Sequence, residues 1–269
     1  MPLAVCATPI GNLQDVTLRV LDELACADVV LCEDTRHTRT LLTHHGVRAR
    51  LLSYHEHNEA KRATELLPRL EAGERMALVS DAGLPGISDP GARLVAAALD
   101  AGIPVTVLPG ASAVETALVM SGVHAERYQF LGFLPRGERR LAALWEELDG
   151  WRYPAVAFES AQRLPATLRS LARHRPERRV VVCRELTKRF EEIVRGTARD
   201  AAARFAEAPK GEITLVLGAD ASTRAAVTVE VAAAAVAELV AAGAPRGAAA
   251  EVVGRLTGVA RNELYDRTL

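Results

Sequence analysis

The chain has 269 residues, 49% of them hydrophobic, and a net charge of −1, which excludes a disordered, collagen-like or disulfide-framed protein. Its length exceeds the usual single domain and falls short of three large ones, so two modest domains with an appendage are expected. Met1 to Thr8 lacks a basic leader, no run reaches the roughly 18 apolar residues of a membrane span, and Cys6, Cys26, Cys32 and Cys183 form no C-x-x-C pair. The expectation is a soluble, cytoplasmic protein with reduced thiols, no membrane segment and no structural zinc.

Short β-rich runs alternate with helical patterns through the first 120 residues. Strands are expected at Leu3–Thr8, Val29–Cys32, Arg50–Tyr54, Met76–Ser80 and Pro104–Leu108. Between them, Ala63, Leu66, Leu67 and Leu70, and then Leu94, Val95, Ala98 and Leu99, repeat at helical spacing. Gly46, Gly73 and Gly102 stand where helices would end, and Pro68 should kink or shorten its helix. The pattern is α/β: a parallel sheet covered by helices. A second α/β segment follows a boundary near Gly122 to Tyr128, with strands expected at Pro154–Glu159, Arg179–Glu185 and Glu212–Gly218. After the polar stretch Ala219–Ala226 come an Ala/Val-rich helix, a turn around Gly243 to Gly247 and a closing helical run. The expected division is 1–122, 123–220 and a helical appendage, 221–269.

Charge is distributed unevenly. The net is −5 over residues 1–123, +5 over 124–212 and −1 over 213–269. Between Arg163 and Arg189 nine basic side chains face only Glu177 and Glu185, enough to attract a polyanion if they share a face, although a merely solvated surface fits equally well. Lysine is scarce: Lys61, Lys188 and Lys210 stand against thirty arginines.

In a parallel sheet ligands bind beyond the carboxyl ends of the strands, so the loops after the first, fourth and fifth strands matter most. The first, Thr8 to Asp15, carries Pro9, Ile10 and Gly11, which would let backbone N–H groups approach a ligand. It lacks both the Walker lysine and G-x-G-x-x-G, so a nucleotide triphosphate or NAD has little support. The second, SDAGLPGISDPG (Ser80 to Gly91), packs three glycines, two prolines and two aspartates. Asp81 beyond the strand end could accept from an amine or ribose hydroxyl, Gly83 permits close approach, and Asp89 is read as the cap of the next helix. The third passes through Pro109 and Gly110 to Ser112 and Ala113, where the serine could cap a helix or bind a ligand. A nucleophilic serine would need G-x-S-x-G, and the sequence is GASA.

Together these loops resemble the tetrapyrrole methylase superfamily, whose members bind S-adenosylmethionine between two α/β domains. ATPIGNL, CEDTR (Cys32 to Arg36), SYHEHNE (Ser53 to Glu59), the second and third loops, FLGFLP (Phe130 to Pro135), RELTK (Arg184 to Lys188), EEIVRG (Glu191 to Gly196) and KGE (Lys210 to Glu212) further resemble the family of ribosomal RNA small subunit methyltransferase I, over nearly the whole chain. One segment departs: Glu159-Ser160-Ala161-Gln162-Arg163 stands where the family usually has E-S-P-H-R.

The resemblance implies a two-domain methylase with a helical tail, S-adenosylmethionine as cofactor, and methylation of a cytidine ribose 2′-oxygen in the decoding region of 16S rRNA. It also implies the small ribosomal subunit as partner and a homodimer. The cofactor residues expected are Pro9, Ile10, Gly11, Asp81, Gly83, Ser112 and Ala113, with Phe158 added by the resemblance. Where arginine is ten times commoner, a retained lysine suggests a need for a compact ammonium, so Lys188 and Lys210 are catalytic candidates. Asp34 joins them from a polar knot with Glu33 and Arg36, for which structural ion pairing is an equal reading. Arg163, Arg184 and Arg189 are the RNA-binding candidates. His55 and His57 flank Glu56 without a third ligand, and methyl transfer from a sulfonium needs no metal.

Two rivals remain: a corrinoid or diphthine-type methylase of the same superfamily, and a non-enzymatic duplex-DNA binder. The latter rests on a helix-turn-helix outline, with Gly258 in the turn and Arg261 and Asn262 opening a recognition helix, against a tail of net −1.

Overall fold

A computed structural model describes residues 2–123, 125–219 and 228–268. Most of the polar stretch from 219 to 226, and His124 in the expected boundary, lie outside the described residues. The chain divides into two compact units, one within Met1–Glu146 and Tyr153–Gly218, the other within Glu147–Arg152 and Ala219–Leu269.

The larger unit holds two five-stranded sheets. Strands β1 (Leu3–Cys6), β2 (Val29–Cys32), β3 (Leu51–Ser53), β4 (Met76–Val79) and β5 (Val105–Leu108) pair in parallel in the order β3-β2-β4-β1-β5. Helices α1 (Leu18–Cys26), α2 (Thr35–His44), α3 (Glu59–Glu71), α4 (Ala92–Asp100) and α5 (Ala113–Ser121) connect and follow them. The period-2 alternation of a strand decides which side chain meets which helix. Leu3, Val5, Val29, Leu31, Met76 and Leu78 pack with Leu66 and Leu70 of α3 and Leu94 of α4. The intervening Ala4, Cys6, Val30, Cys32, Ala77 and Val79 pack with Val20 and Leu24 of α1 and Leu42 of α2. With both faces covered, β1, β2 and β4 are buried at every residue, hence their unbroken apolar runs. Pro68 does not shorten α3, which continues to Glu71.

The second sheet runs β6 (Gln129–Phe133), β7 (Ala155–Ser160), β10 (Glu212–Leu217), β8 (Arg179–Arg184) and β9 (Glu192–Thr197), with β6 parallel to β7 and the other pairs antiparallel. It is flanked in sequence by α6 (Glu138–Glu147), α7 (Leu164–His174) and α8 (Ala198–Arg204), the last opened by a reciprocal Thr197–Asp200 capping box. Both β6 and β9 are additions to the three strands expected. They are edge strands, and the register of β6 slips between Phe130 and Phe133, which weakens the alternation that would reveal it. Ile10 of the first loop and Val114 and Ala117 of α5 share a core with Val156, Val181 and Val216 of this sheet. The first loop and α5 are thereby anchored to the second sheet.

In the smaller unit, α9 (Val229–Ala241), α10 (Arg246–Thr257) and α11 (Arg261–Asp266) enclose Ala232, Val236, Ala249, Ala250, Val253 and Leu264. Gly258 caps α10 with φ +77, a value only glycine adopts without strain, so the expected turn is present. The helix after it is only six residues long. Among the described residues no helix is long and apolar enough to cross a membrane.

Candidate active site

The loops singled out in the sequence leave β1, β4 and β5, and those strands are neighbours in the sheet. Their convergence follows from that order. Thr8 N–H donates to the Gly83 carbonyl at 2.8 Å and Gly83 N–H returns to Thr8 at 3.1 Å, joining the first loop to the second. Ala7 N–H donates to the Leu108 carbonyl at 3.1 Å, joining the first to the third. Gly83 holds φ +80 in this bridge, so a side chain there would be strained whatever space it found.

A cavity of about 500 Å³ opens where these loops meet the second sheet. Ile10, Gly83, Leu84, Ala113, Val114 and Phe158 form much of its apolar wall, with Ser112 and Thr214 beside them. Phe158 is held edge-on between Phe130 at 5.1 Å and Phe133 at 5.6 Å. Ser112 precedes α5 but makes no side-chain cap; its hydroxyl donates to Glu115, which also accepts from Tyr128 at 2.6 Å. A second lobe of about 340 Å³ contains Pro9, Gly11, His37 and Lys188, and shares Ile10, Asp81, Ala82 and Glu212 with the first. All eight expected cofactor residues therefore line one two-lobed crevice.

Its electrostatics are lopsided. Glu33, Asp81, Asp89, Glu159 and Glu212 border the main cavity, and no Lys, Arg or His does so among the described residues. Burial, then the neighbouring Glu33 and Asp81, push the Asp89 carboxyl up to about 6. Burial and Asp81 likewise raise Glu33. Asp81 accepts from the Asp34 N–H at 3.0 Å and faces His37 Nδ1 at 3.3 Å. Such a wall repels phosphates and suits a compact cation on an apolar body. A sulfonium carrying an adenosyl group fits, with Ile10, Gly83, Ala113 and Phe158 around the apolar part and the carboxylates facing the charge.

Asp89 was expected to cap α4. Gly91 occupies that position instead, with φ +134 and no side-chain cap, and Asp89 is freed for the cavity wall. Gly11 also has a packing role: a Cβ there would lie 2.5 Å from Lys188 Cγ and 2.7 Å from the Leu186 carbonyl oxygen. It lets the first loop close onto the turn after β8.

The catalytic candidates separate. Lys188 lies in the crevice, its Nζ 3.0 Å from Glu185 Oε1 and 3.1 Å from Glu212 Oε2. Burial alone would lower the ammonium, but the two carboxylates outweigh it and raise its affinity for the proton. It is a cation, and no base, at neutral pH. Glu185 is itself held low against its burial, by the Glu212 N–H and Lys188. Lys210 borders a separate recess with Arg184 and Glu192. Asp34 caps α2 by accepting from Arg36 N–H at 2.8 Å and pairs with the Arg36 guanidinium at 2.6 Å, which keeps it well below the usual carboxylate range. The ion-pairing reading of Asp34 is the one this geometry favours.

The arginine-rich run does not form one track. Arg163 donates to the buried Glu159 at 2.7 Å and to the Leu134 carbonyl at 3.0 Å. Thr167 Oγ1 and the Ser160 N–H complete the shell of Glu159 at 2.6 and 2.7 Å. This network locks β7 to α7 in the segment that departs from E-S-P-H-R. Arg179 stands at the start of β8 and Arg184 at its end, so the strand separates them by roughly 17 Å. Arg184 pairs with Glu192 at 2.9 Å and donates to the Lys210 carbonyl at 3.1 Å, while Arg189 is exposed and stacks over Phe190 at 5.5 Å. Glu33, Asp89 and Glu212 are site residues the sequence reading did not select. Their signal was faint: each lies inside a recognised box, Glu33 and Glu212 at strand ends and Asp89 in the loop before α4.

The family profile of Tetrapyrrole (Corrin/Porphyrin) Methylases matches residues 2–202, and the chain belongs to that family. A structure of the methyltransferase CobJ superposes with a TM-score of 0.61 at 20% identity, over 81% of this chain and 94% of that one. Uroporphyrin-III C-methyltransferase from Thermus thermophilus, complexed with S-adenosylhomocysteine, superposes at 0.55 and 18% identity over 80% and 96%. Within the family, the chain belongs with ribosomal RNA small subunit methyltransferase I. It is 42% identical to that protein from Mesorhizobium japonicum over 99% of this chain and 91% of the relative, and 42% identical to that from Synechocystis sp. over 99% and 97%.

Proposed function

We propose that this protein transfers a methyl group from S-adenosylmethionine to the ribose 2′-oxygen of a cytidine in the decoding region of 16S rRNA. The observation that carries the reading is the crevice itself: an acidic, largely apolar cavity suited to a cationic donor shares its wall with a lobe holding one half-buried ammonium. The relatives that match nearly the whole chain bear the name of the small-subunit rRNA enzyme, which favours RNA over a corrinoid or a modified histidine as acceptor. When bound, S-adenosylmethionine supplies a methyl carbon already activated by its sulfonium.

The protein's share is positioning, exclusion of water and help for a weakly nucleophilic hydroxyl. Ile10, Gly83, Ala113 and Phe158 hold the donor; Asp81 and Asp89 face its charge. Lys188, kept protonated by Glu185 and Glu212, stabilises the oxygen as it gains negative charge. Glu212 spans both lobes and takes the hydroxyl proton. Arg184, at the end of β8, and Arg189, just beyond it, are assigned to RNA. The partner is 16S rRNA in the small subunit, the location cytoplasmic and the assembly a homodimer, for which exposed Val107 on the edge strand β5 offers an apolar face. Mass spectrometry of 16S rRNA nucleosides from cells with and without the protein tests the reading; an unchanged content of 2′-O-methylcytidine refutes it.

A further inference from the structure

Helix α2 presents a polar stripe that the crevice does not account for. Arg36, Arg39, Thr40, Thr43 and His44 fall at i, i+3, i+4, i+7 and i+8, which is one helical face, while Thr38, Leu41 and Leu42 turn into the core. No acidic residue occurs from Thr35 to His44. The stripe and Leu13 of the first loop enclose an open groove of about 470 Å³, and the Leu13 carbonyl is tied to His45 Nε2 at 2.8 Å. Leu13 and Thr40 also line the Lys188 lobe, so the groove adjoins that lobe, which in turn shares Ile10, Asp81, Ala82 and Glu212 with the donor cavity. Arg36 is 86% exposed beyond its pair with Asp34, and Arg39 is exposed with no ion pair among the described residues.

We infer that this α2 groove carries the ribose-phosphate backbone of the RNA strand that feeds the target nucleotide into the Lys188 lobe. Arginine and threonine side chains along one helical face are the groups that bind phosphate oxygens without reading sequence. The acidic donor cavity would repel phosphates, so charge alone sends the strand along α2 and only the reacting ribose inward. The inference rests on the proposed RNA substrate. It adds a contact surface in the N-terminal segment, whose net charge of −5 conceals it.

Full-length protein, purified small ribosomal subunits and labelled S-adenosylmethionine provide the test. Arg39→Glu is expected to raise the KM for subunits roughly fivefold or more and leave kcat within about twofold, and Arg39→Gln to reduce the salt slope of subunit binding by about one unit. Calorimetric affinity for S-adenosylmethionine stays unchanged, which also verifies folding. Arg199→Glu, exposed on α8 outside the groove, serves as the general-charge control and is expected to shift KM by less than about twofold. The inference is overturned if Arg39→Glu leaves KM and the salt slope unaltered while the parent protein methylates subunits, or if Arg199→Glu has an equal effect. Should the parent methylate a tetrapyrrole and not subunits, the proposed function and the groove assignment both fall.

Discussion

Replacing Gly11 with alanine tests how the site is held together. The added methyl would sit 2.5 Å from Lys188 Cγ, 2.7 Å from Thr187 Oγ1 and 2.7 Å from the Leu186 carbonyl oxygen, against an ordinary separation of about 3.5–4.0 Å. The two side chains can rotate aside, but the carbonyl cannot move without its turn. That turn already holds Glu185 and Thr187 at φ 53 and 63, and is pinned by Glu185 N–H to the Glu212 carbonyl at 3.0 Å and by Glu212 N–H to Glu185 Oε1 at 2.9 Å. Overpacking against such a wall costs about 1–3 kcal/mol, which for a unit of this size lowers the Tm by roughly 2–12 °C. The larger effect is expected on catalysis, because the atom struck first belongs to Lys188. A displacement of about 1 Å at a reacting group lowers the rate roughly 100-fold. Scanning calorimetry and steady-state methylation of small subunits measure the two effects separately. A Gly11→Ala protein with parental Tm and kcat would show that the close approach of the first loop to the turn after β8 is not needed, and the account of Lys188 placement would fail.

Lys188→Gln should lower kcat by about 10²–10³ with donor affinity retained, since an ammonium facing a developing oxyanion contributes on that scale; loss of donor binding with unaltered kcat would count against the assignment. As Glu185 and Glu212 raise its pKa, the stabilising charge is fully present below the ordinary value of 10.5 and is lost only as pH climbs beyond it, so kcat should show no limb from this group at lower pH. Asp89 has its carboxyl raised from 3.8 to about 6, so its contribution to stability is complete below pH 3.8 and disappears as pH rises through 6. Asp89→Asn should therefore stabilise the protein at pH 8 by no more than about 3 kcal/mol, have little effect at pH 4, and weaken S-adenosylmethionine binding; urea titrations at both pH values and calorimetry check this. Arg163→Ala leaves the fully buried Glu159 side chain without its cation and should cost about 3–5 kcal/mol, seen as a lower urea midpoint, whereas a purely RNA-binding arginine would leave the midpoint unmoved.

Much of the fold was legible because strands such as Val29–Cys32 and Met76–Val79 are buried on both faces and so read as unbroken apolar runs between helical patterns. The edge strands β6 and β9 escaped, since an edge strand need not alternate cleanly and β6 is bulged. The loops around the donor were legible for a similar local reason: glycines at positive φ and prolines mark chain paths that few other residues permit. Side-chain roles were less accessible. Lys188 and Lys210 looked equivalent as rare lysines, yet one enters the crevice and the other borders a neighbouring recess. Arg163, counted with the polyanion-binding run, spends its charge on Glu159.

Local chemistry along the chain thus determined the parallel sheet, the three ligand-facing loops and the membership of a methylase family. Only the tertiary structure decided which charges are spent and which are available. Pairing depends on distances between residues far apart in sequence, as with Lys188 and Glu212, or the Asp81 carboxylate and the Asp34 N–H that donates to it, and strand order brings these together. The same order sets the first loop beside α2, and so turns a helix inside an acidic segment into a basic groove at the mouth of the crevice.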